Sequence, residues 1–107
     1  MKARNVIFQR EAQEDVTAIA YYIAGDNPEA AERFVAALDT LCKLLIHAPD
    51  IGSARIFKNE RLRGTRIIPI RKFEKYLVFY RIHGDGGVEI LRIIHGARDY
   101  PVLFADE

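Results

Sequence analysis

Arg66-Ile67-Ile68-Pro69-Ile70, Tyr76-Leu77-Val78-Phe79-Tyr80-Arg81-Ile82 and Val88-Glu89-Ile90-Leu91-Arg92-Ile93-Ile94 are three apolar, β-branched runs in the last third of the chain. Residues 72–75 supply a turn between the first two, and His83-Gly84-Asp85-Gly86-Gly87 supplies one between the last two. The runs predict a meander of three strands. Pro69 cannot donate to a ladder, so its run is an edge strand or carries a bulge. Arginine stands beside or inside every run, at Arg66, Arg71, Arg81, Arg92 and Arg98. Arginine is rarely buried without a partner. One face or edge of this sheet is therefore expected to meet solvent, an acidic partner or an anionic ligand.

Upstream, residues 5–8 suit a first strand. Ala12, Val16, Ile19, Ala20 and Ile23 then follow the spacing of one helix face. Gly25-Asp26-Asn27-Pro28 breaks that helix and starts another, with Asn27 as N-cap and Pro28 at the first helical position. Ala31, Phe34, Val35, Leu38, Leu41, Cys42 and Leu45 form the second apolar stripe, and Pro49 stops it. So short a connection folds the helices into an antiparallel hairpin. Residues 50–60 read as a loop. The order is β-α-α-β-β-β: an α+β domain, a helical hairpin packed on a small, mainly antiparallel sheet. At 107 residues the chain is predicted to be one domain, 1–107.

The formal charge of +1 hides a division. Residues 9–39 hold Glu11, Glu14, Asp15, Asp26, Glu29, Glu32 and Asp39 against Arg10 and Arg33. Residues 55–75 hold Arg55, Lys58, Arg61, Arg63, Arg66, Arg71, Lys72 and Lys75 against Glu60 and Glu74. A basic surface attracts nucleic acid or an acidic protein segment, and it is also what a solvated face looks like. Cys42 is the single cysteine, which excludes a disulfide framework and a thiolate metal cage. The start of the chain has no hydrophobic signal core and no apolar run nears the ~20 residues of a membrane span, so the expectation is a cytoplasmic protein with no membrane partner.

His47, His83 and His95 have no ligand spacing, and neither metal nor cofactor is expected. Ser53, the single serine, lacks a nucleophile elbow. Gly84-Asp85-Gly86-Gly87 joins strands rather than opening a helix, unlike a phosphate loop. Arg98-Asp99 is either a local charge pair or an arginine fork presented to phosphate or carboxylate. His95 could move protons near neutral pH, but with no second acid–base group placed beside it, a structural or contact role is favoured.

Two sets of residues carry a resemblance. Phe8…Ala12…Asp15-Val16…Ile19…Tyr22-Ile23-Ala24 with Asn27-Pro28…Ala30-Ala31…Arg33-Phe34 resembles the helical hairpin of the RelE/ParE superfamily of type II toxins. Leu62-Arg63-Gly64, Leu77-Val78-Phe79-Tyr80 and Ile90-Leu91-Arg92-Ile93…His95-Gly96…Arg98-Asp99 resemble its sheet, and the pattern is nearer the ParE branch. RelE-like members cut mRNA on the ribosome with sheet cations and a C-terminal tyrosine, residue types suited to proton transfer and charge stabilisation. Aligned on Leu-Arg-Gly and Gly-Ala-Arg-Asp, the middle-strand arginine falls on Leu77, a lysine on Ile68 and the tyrosine on Phe104, while Arg66 and Arg98 remain.

The resemblance therefore implies a toxin that inhibits DNA gyrase by binding rather than by its own bond chemistry. A cognate antitoxin would neutralise it, wrapping it as helix and extended chain, and a higher-order toxin–antitoxin complex is compatible with this. Sequence-specific nucleic-acid binding is not implied. One alternative is a RelE-like ribonuclease using Arg66, His95 and Arg98; another is an inert member that retains only antitoxin binding. Arg63, Arg66, Arg71, Arg92, His95, Arg98, Tyr100 and Phe104 are the expected antitoxin- or target-binding residues. No catalytic or metal-ligating residue is expected.

Overall fold

The computed structural model describes residues 5–103, with side chains to residue 100. The elements are β1 (Val6–Phe8), α1 (Arg10–Asp26), α2 (Pro28–His47), β2 (Ser53–Ala54), β3 (Arg66–Ile70), β4 (Phe73–Ile82), β5 (Val88–His95) and α3 (Gly96–Leu103), with a 3-10 turn at Glu60–Leu62. The sheet order is β1-β5-β4-β3-β2. Only β1 with β5 is parallel; the other pairings are antiparallel. This is the expected α+β arrangement, with two elements added: the two-residue strand β2 inside the predicted loop, and α3 after the last strand.

The helical hairpin forms where its signals lie. The Asn27 side chain accepts the Ala30 N–H at 3.1 Å, and Pro28 opens α2. Such a cap satisfies a donor that the first helical turn leaves without a backbone partner. Ala12, Ile19, Phe34, Leu38, Leu41 and Leu45 are buried against Ile70, Tyr76, Val78, Tyr80, Val88, Ile90 and Ile93 of the sheet. Phe34 meets Phe73 and Tyr76 edge-on, both at 5.5 Å. Val35, expected on the buried stripe, is instead 46% exposed, because it lies at the margin of the face that α2 turns inward.

The opposite face of the sheet is also apolar. Ile67, Phe79 and Ile94 are buried there beneath Phe57, Leu62 and Tyr100, which the 55–65 segment and α3 bring over them. The expectation that one face or edge meets solvent or a partner is thus corrected for the faces, since both are packed; Arg66, Arg81, Arg92 and Arg98 find partners within the chain, while Arg71 is exposed at the β3–β4 turn.

The β3–β4 turn is tighter than expected. Ile70 pairs with Phe73, which leaves Arg71 and Lys72 as the turn residues, and the ladder shifts register between Pro69 and Ile70. Lys72 adopts φ 75°, a left-handed conformation that costs a non-glycine residue ~1 kcal/mol or more. A second irregularity lies in the centre of the sheet. Tyr80 pairs with Ile90 but Phe79 with Arg92, so Leu91 is an extra residue in β5. It returns Ile93 to the helix-facing core while Leu91 and Ile94 lie on the other side.

Candidate functional site

Arg92 sits beside the bulge and does not face solvent alone. Its Nε and a terminal nitrogen donate to the two carboxylate oxygens of Asp15 at 2.8 and 3.0 Å, and the Ile93 N–H donates to the same carboxylate at 2.9 Å. One side chain of α1 thus satisfies the guanidinium and a backbone donor freed where the ladder is interrupted. The fork holds the Arg92 pKa above its ordinary value, chiefly through the Asp15 hydrogen bonds.

Arg66 and Tyr80 stand opposite each other on β3 and β4. Arg66 donates from one nitrogen to the carbonyls of Asp50 and Gly52, at 3.0 and 2.8 Å. The Tyr80 hydroxyl donates to the Pro49 carbonyl at 2.7 Å and accepts the Gly52 N–H at 2.8 Å. Together they fasten the segment leaving α2 to the sheet. Gly52 is required by proximity: a Cβ there would lie 2.5 Å from the Tyr80 hydroxyl. Burial pushes the Tyr80 phenol up, and the Gly52 N–H opposes that in part.

His95 ends β5 and caps α3. Its Nδ1 accepts the Arg98 N–H at 3.1 Å, and Asp99 accepts the His95 N–H at 3.1 Å, a reciprocal arrangement like a capping box. Arg98 then grips Asp99 side-on, at 2.8 and 3.1 Å. The Arg98 hydrogen bonds, helped by the His95 N–H, hold the Asp99 carboxyl below its usual range. Gly96 lets α3 start hard against β4, since a Cβ would fall 2.9 Å from a Leu77 methyl. The Tyr76 ring meets His95 edge-on at 5.5 Å. Burial raises the Tyr76 phenol, against the opposing pull of Arg98. Tyr76 is the acid–base neighbour that the sequence alone does not place beside His95; the strand register, which pairs the two residues, reveals it.

The expected binding residues therefore divide. His95, Arg98 and Asp99 form one local cluster. Arg66 and Arg92 are engaged by the chain itself. Tyr100 is half-buried, its ring 6.0 Å from that of Phe79, rather than standing free after the last strand. Arg63 follows the 3-10 turn and Arg71 lies in the β3–β4 turn, both exposed. Phe104 lies outside the described residues. Among the described residues, no three His, Cys, Asp or Glu side chains come together as a metal site. No helix there is long and apolar enough to cross a membrane.

The fold places the chain in a known structural class. It matches a solved chain titled "Chromosomal ParDE TA system from P. aeruginosa" with a TM-score of 0.67 and 23% identity, over 87% of this chain and 96% of that one. In sequence it is 30% identical over 101 residues to "Putative toxin Y4kP" of Sinorhizobium fredii, covering 94% of this chain and 97% of the relative. It is 33% identical over 93 residues to "Toxin RelE2" of Caulobacter vibrioides, covering 87% and 96%. The family model described as the ParE toxin of the type II toxin–antitoxin system parDE matches residues 6–100. The chain belongs to that family, and a toxin of a type II system implies a cognate antitoxin.

Proposed function

We propose that this toxin acts as ParE-like proteins do by resemblance, inhibiting DNA gyrase through binding, and that its antitoxin relieves the inhibition by occupying the toxin. The observation that supports the reading is the environment of the positions where a RelE-like nuclease carries its cations. Leu77 packs into the outer apolar cluster with Ile67, Phe79 and Ile94, and Ile68 packs against the helix-facing core. Apolar side chains built into packing stabilise no phosphate charge and move no proton.

The ribonuclease reading keeps one observation in its favour, the Tyr76–His95 contact beside Arg98. The two readings separate with purified protein: loss of gyrase supercoiling without mRNA cleavage on translating ribosomes is the expected result. Cleavage abolished by His95→Ala, with gyrase unaffected, would replace the binding reading with the nuclease one. Growth arrest on expression, relieved by the antitoxin, is expected of an active toxin and excludes an inert member. The cytoplasm, where gyrase acts, is the location that this reading requires.

A further inference from the structure

The segment between β2 and β3 closes on itself at Thr65. The Arg55 N–H donates to the Thr65 carbonyl at 3.3 Å, and the Thr65 N–H donates to the Leu62 carbonyl at 3.0 Å. Residues 55–65 thus form an Ω-loop, compact and with its ends together. Phe57 and Leu62 pack on the outer cluster of Ile67, Phe79 and Ile94, while Ile56 is fully exposed. From the sheet, Arg81 donates to the Arg61 carbonyl at 2.9 Å, and its Nε stands 3.4 Å from a Glu89 carboxylate oxygen. Two features work against this closed form. Thr65 is fully buried, and among the described residues its hydroxyl is the buried side-chain group without a hydrogen-bond partner. Arg55, Lys58, Arg61 and Arg63 are exposed, with Glu60 as the loop's carboxylate, and none of the four cations forms a salt bridge among the described residues.

We infer that the 55–65 loop is a strap that opens as a unit while the rest of the fold stays closed, uncovering Ile67, Phe79 and Ile94. The two cores are covered unequally. Two long helices close the inner one, whereas the loop's share of the outer cover is the half-buried Phe57 and Leu62. Closing strips water from the Thr65 hydroxyl and returns no bond, a cost that opening recovers. Gly64, at φ 79°, makes the left-handed turn that leads the strap back into β3. A segment with so little buried apolar area opens at a lower free energy than the whole domain. The strap is therefore an autoinhibitory cover. A partner that docks on the outer face binds only the open fraction, and its apparent affinity falls by that fraction. The inference holds whichever of the gyrase and ribonuclease readings stands.

The test is thiol labelling of the full chain in a Cys42→Ala background, which removes the single native cysteine. Ile67→Cys places a thiol under the strap, and Val78→Cys places one in the helix-facing core. With an aromatic disulfide reagent, Ile67→Cys should label about tenfold faster or more, and its rate should depend less on urea, since opening the strap exposes less surface than unfolding. Adding Thr65→Val, which keeps the shape and removes the hydroxyl, should slow the Ile67→Cys reaction about fivefold or more. Adding Gly64→Ala should speed it by about as much through backbone strain, because the new Cβ comes no nearer than 4.0 Å to the Arg81 side chain. Equal rates with equal urea dependence at the two cysteines would overturn the inference, as would a Thr65→Val chain that labels no more slowly. The buried Thr65 amide gives the same reading without substitution: its hydrogen exchange should depend less on urea than that of the α2 amides. An equal dependence would mean that the strap parts only when the whole chain unfolds, and would overturn the inference too.

Discussion

Among the described residues stand two arginine–aspartate forks of nearly the same geometry and very different setting. Arg92 reaches Asp15 across 77 residues of sequence, and their side chains are 32% and 15% exposed. Arg98 grips its neighbour Asp99, at 58% and 29% exposure. The first fork joins the acidic hairpin to the sheet, and losing either partner strands a partly buried charge. The second is closed by the local backbone and leaves much of the guanidinium in water, where an ion pair contributes little. Equal bond lengths therefore carry unequal stability, and the exposed fork is the one free to serve a partner.

Leu38→Ala sets the scale for this contrast. It empties a position that is 4% exposed at the centre of α2, and should cost about 2–5 kcal/mol by denaturant unfolding. Asp15→Ala should come close to that, at about 2–4 kcal/mol, since it strands Arg92 and the Ile93 N–H together. A change below about 0.5 kcal/mol, the range usual for surface substitutions, would erase the distinction between the forks.

Tyr80→Phe lies between the extremes, at about 1–2 kcal/mol, because it removes the hydroxyl bonds to Pro49 and Gly52. The folded chain holds the Tyr80 phenol above its ordinary value, so its contribution is whole below about pH 10 and drains away as pH rises past that. The variant should therefore lose less stability than the parent in alkaline melts.

Asp99→Ala should have the smallest effect, within about 1 kcal/mol. Asp99 is lowered by Arg98, so whatever it adds is present above about pH 4 and lost as pH falls through its depressed value. Acid melts of parent and variant should converge below that range and separate modestly above it. A variant that melts like Asp15→Ala would show the exposed fork to be structural as well.

The hairpin was legible because its signals are local: Asn27-Pro28 marks the start of α2, and 3.6-residue spacing marks both faces. The meander was legible from three dense apolar runs. What escaped was either too short or too distant. β2 has only two residues, less than any alternation pattern needs. α3 is capped by histidine and contains Pro101, which reads as a breaker. Arg92 looked like a free cation because Asp15 lies on another element, and no spacing rule connects them. Lys72 hid the tight turn, because glycine or asparagine is the residue usually read there.

The bulge at Leu91 has a consequence for how the chain finds its fold. The extra residue shifts the parity of everything after it, and Asp15 is placed to sense that shift, since its carboxylate is satisfied only when Arg92 and the Ile93 amide arrive together. A strand out of phase by one residue would offer α1 an isoleucine or leucine instead. The first helix thus works as a gauge on the last strand, docking fully only when the two most distant segments of the sheet's centre and the hairpin agree on their count.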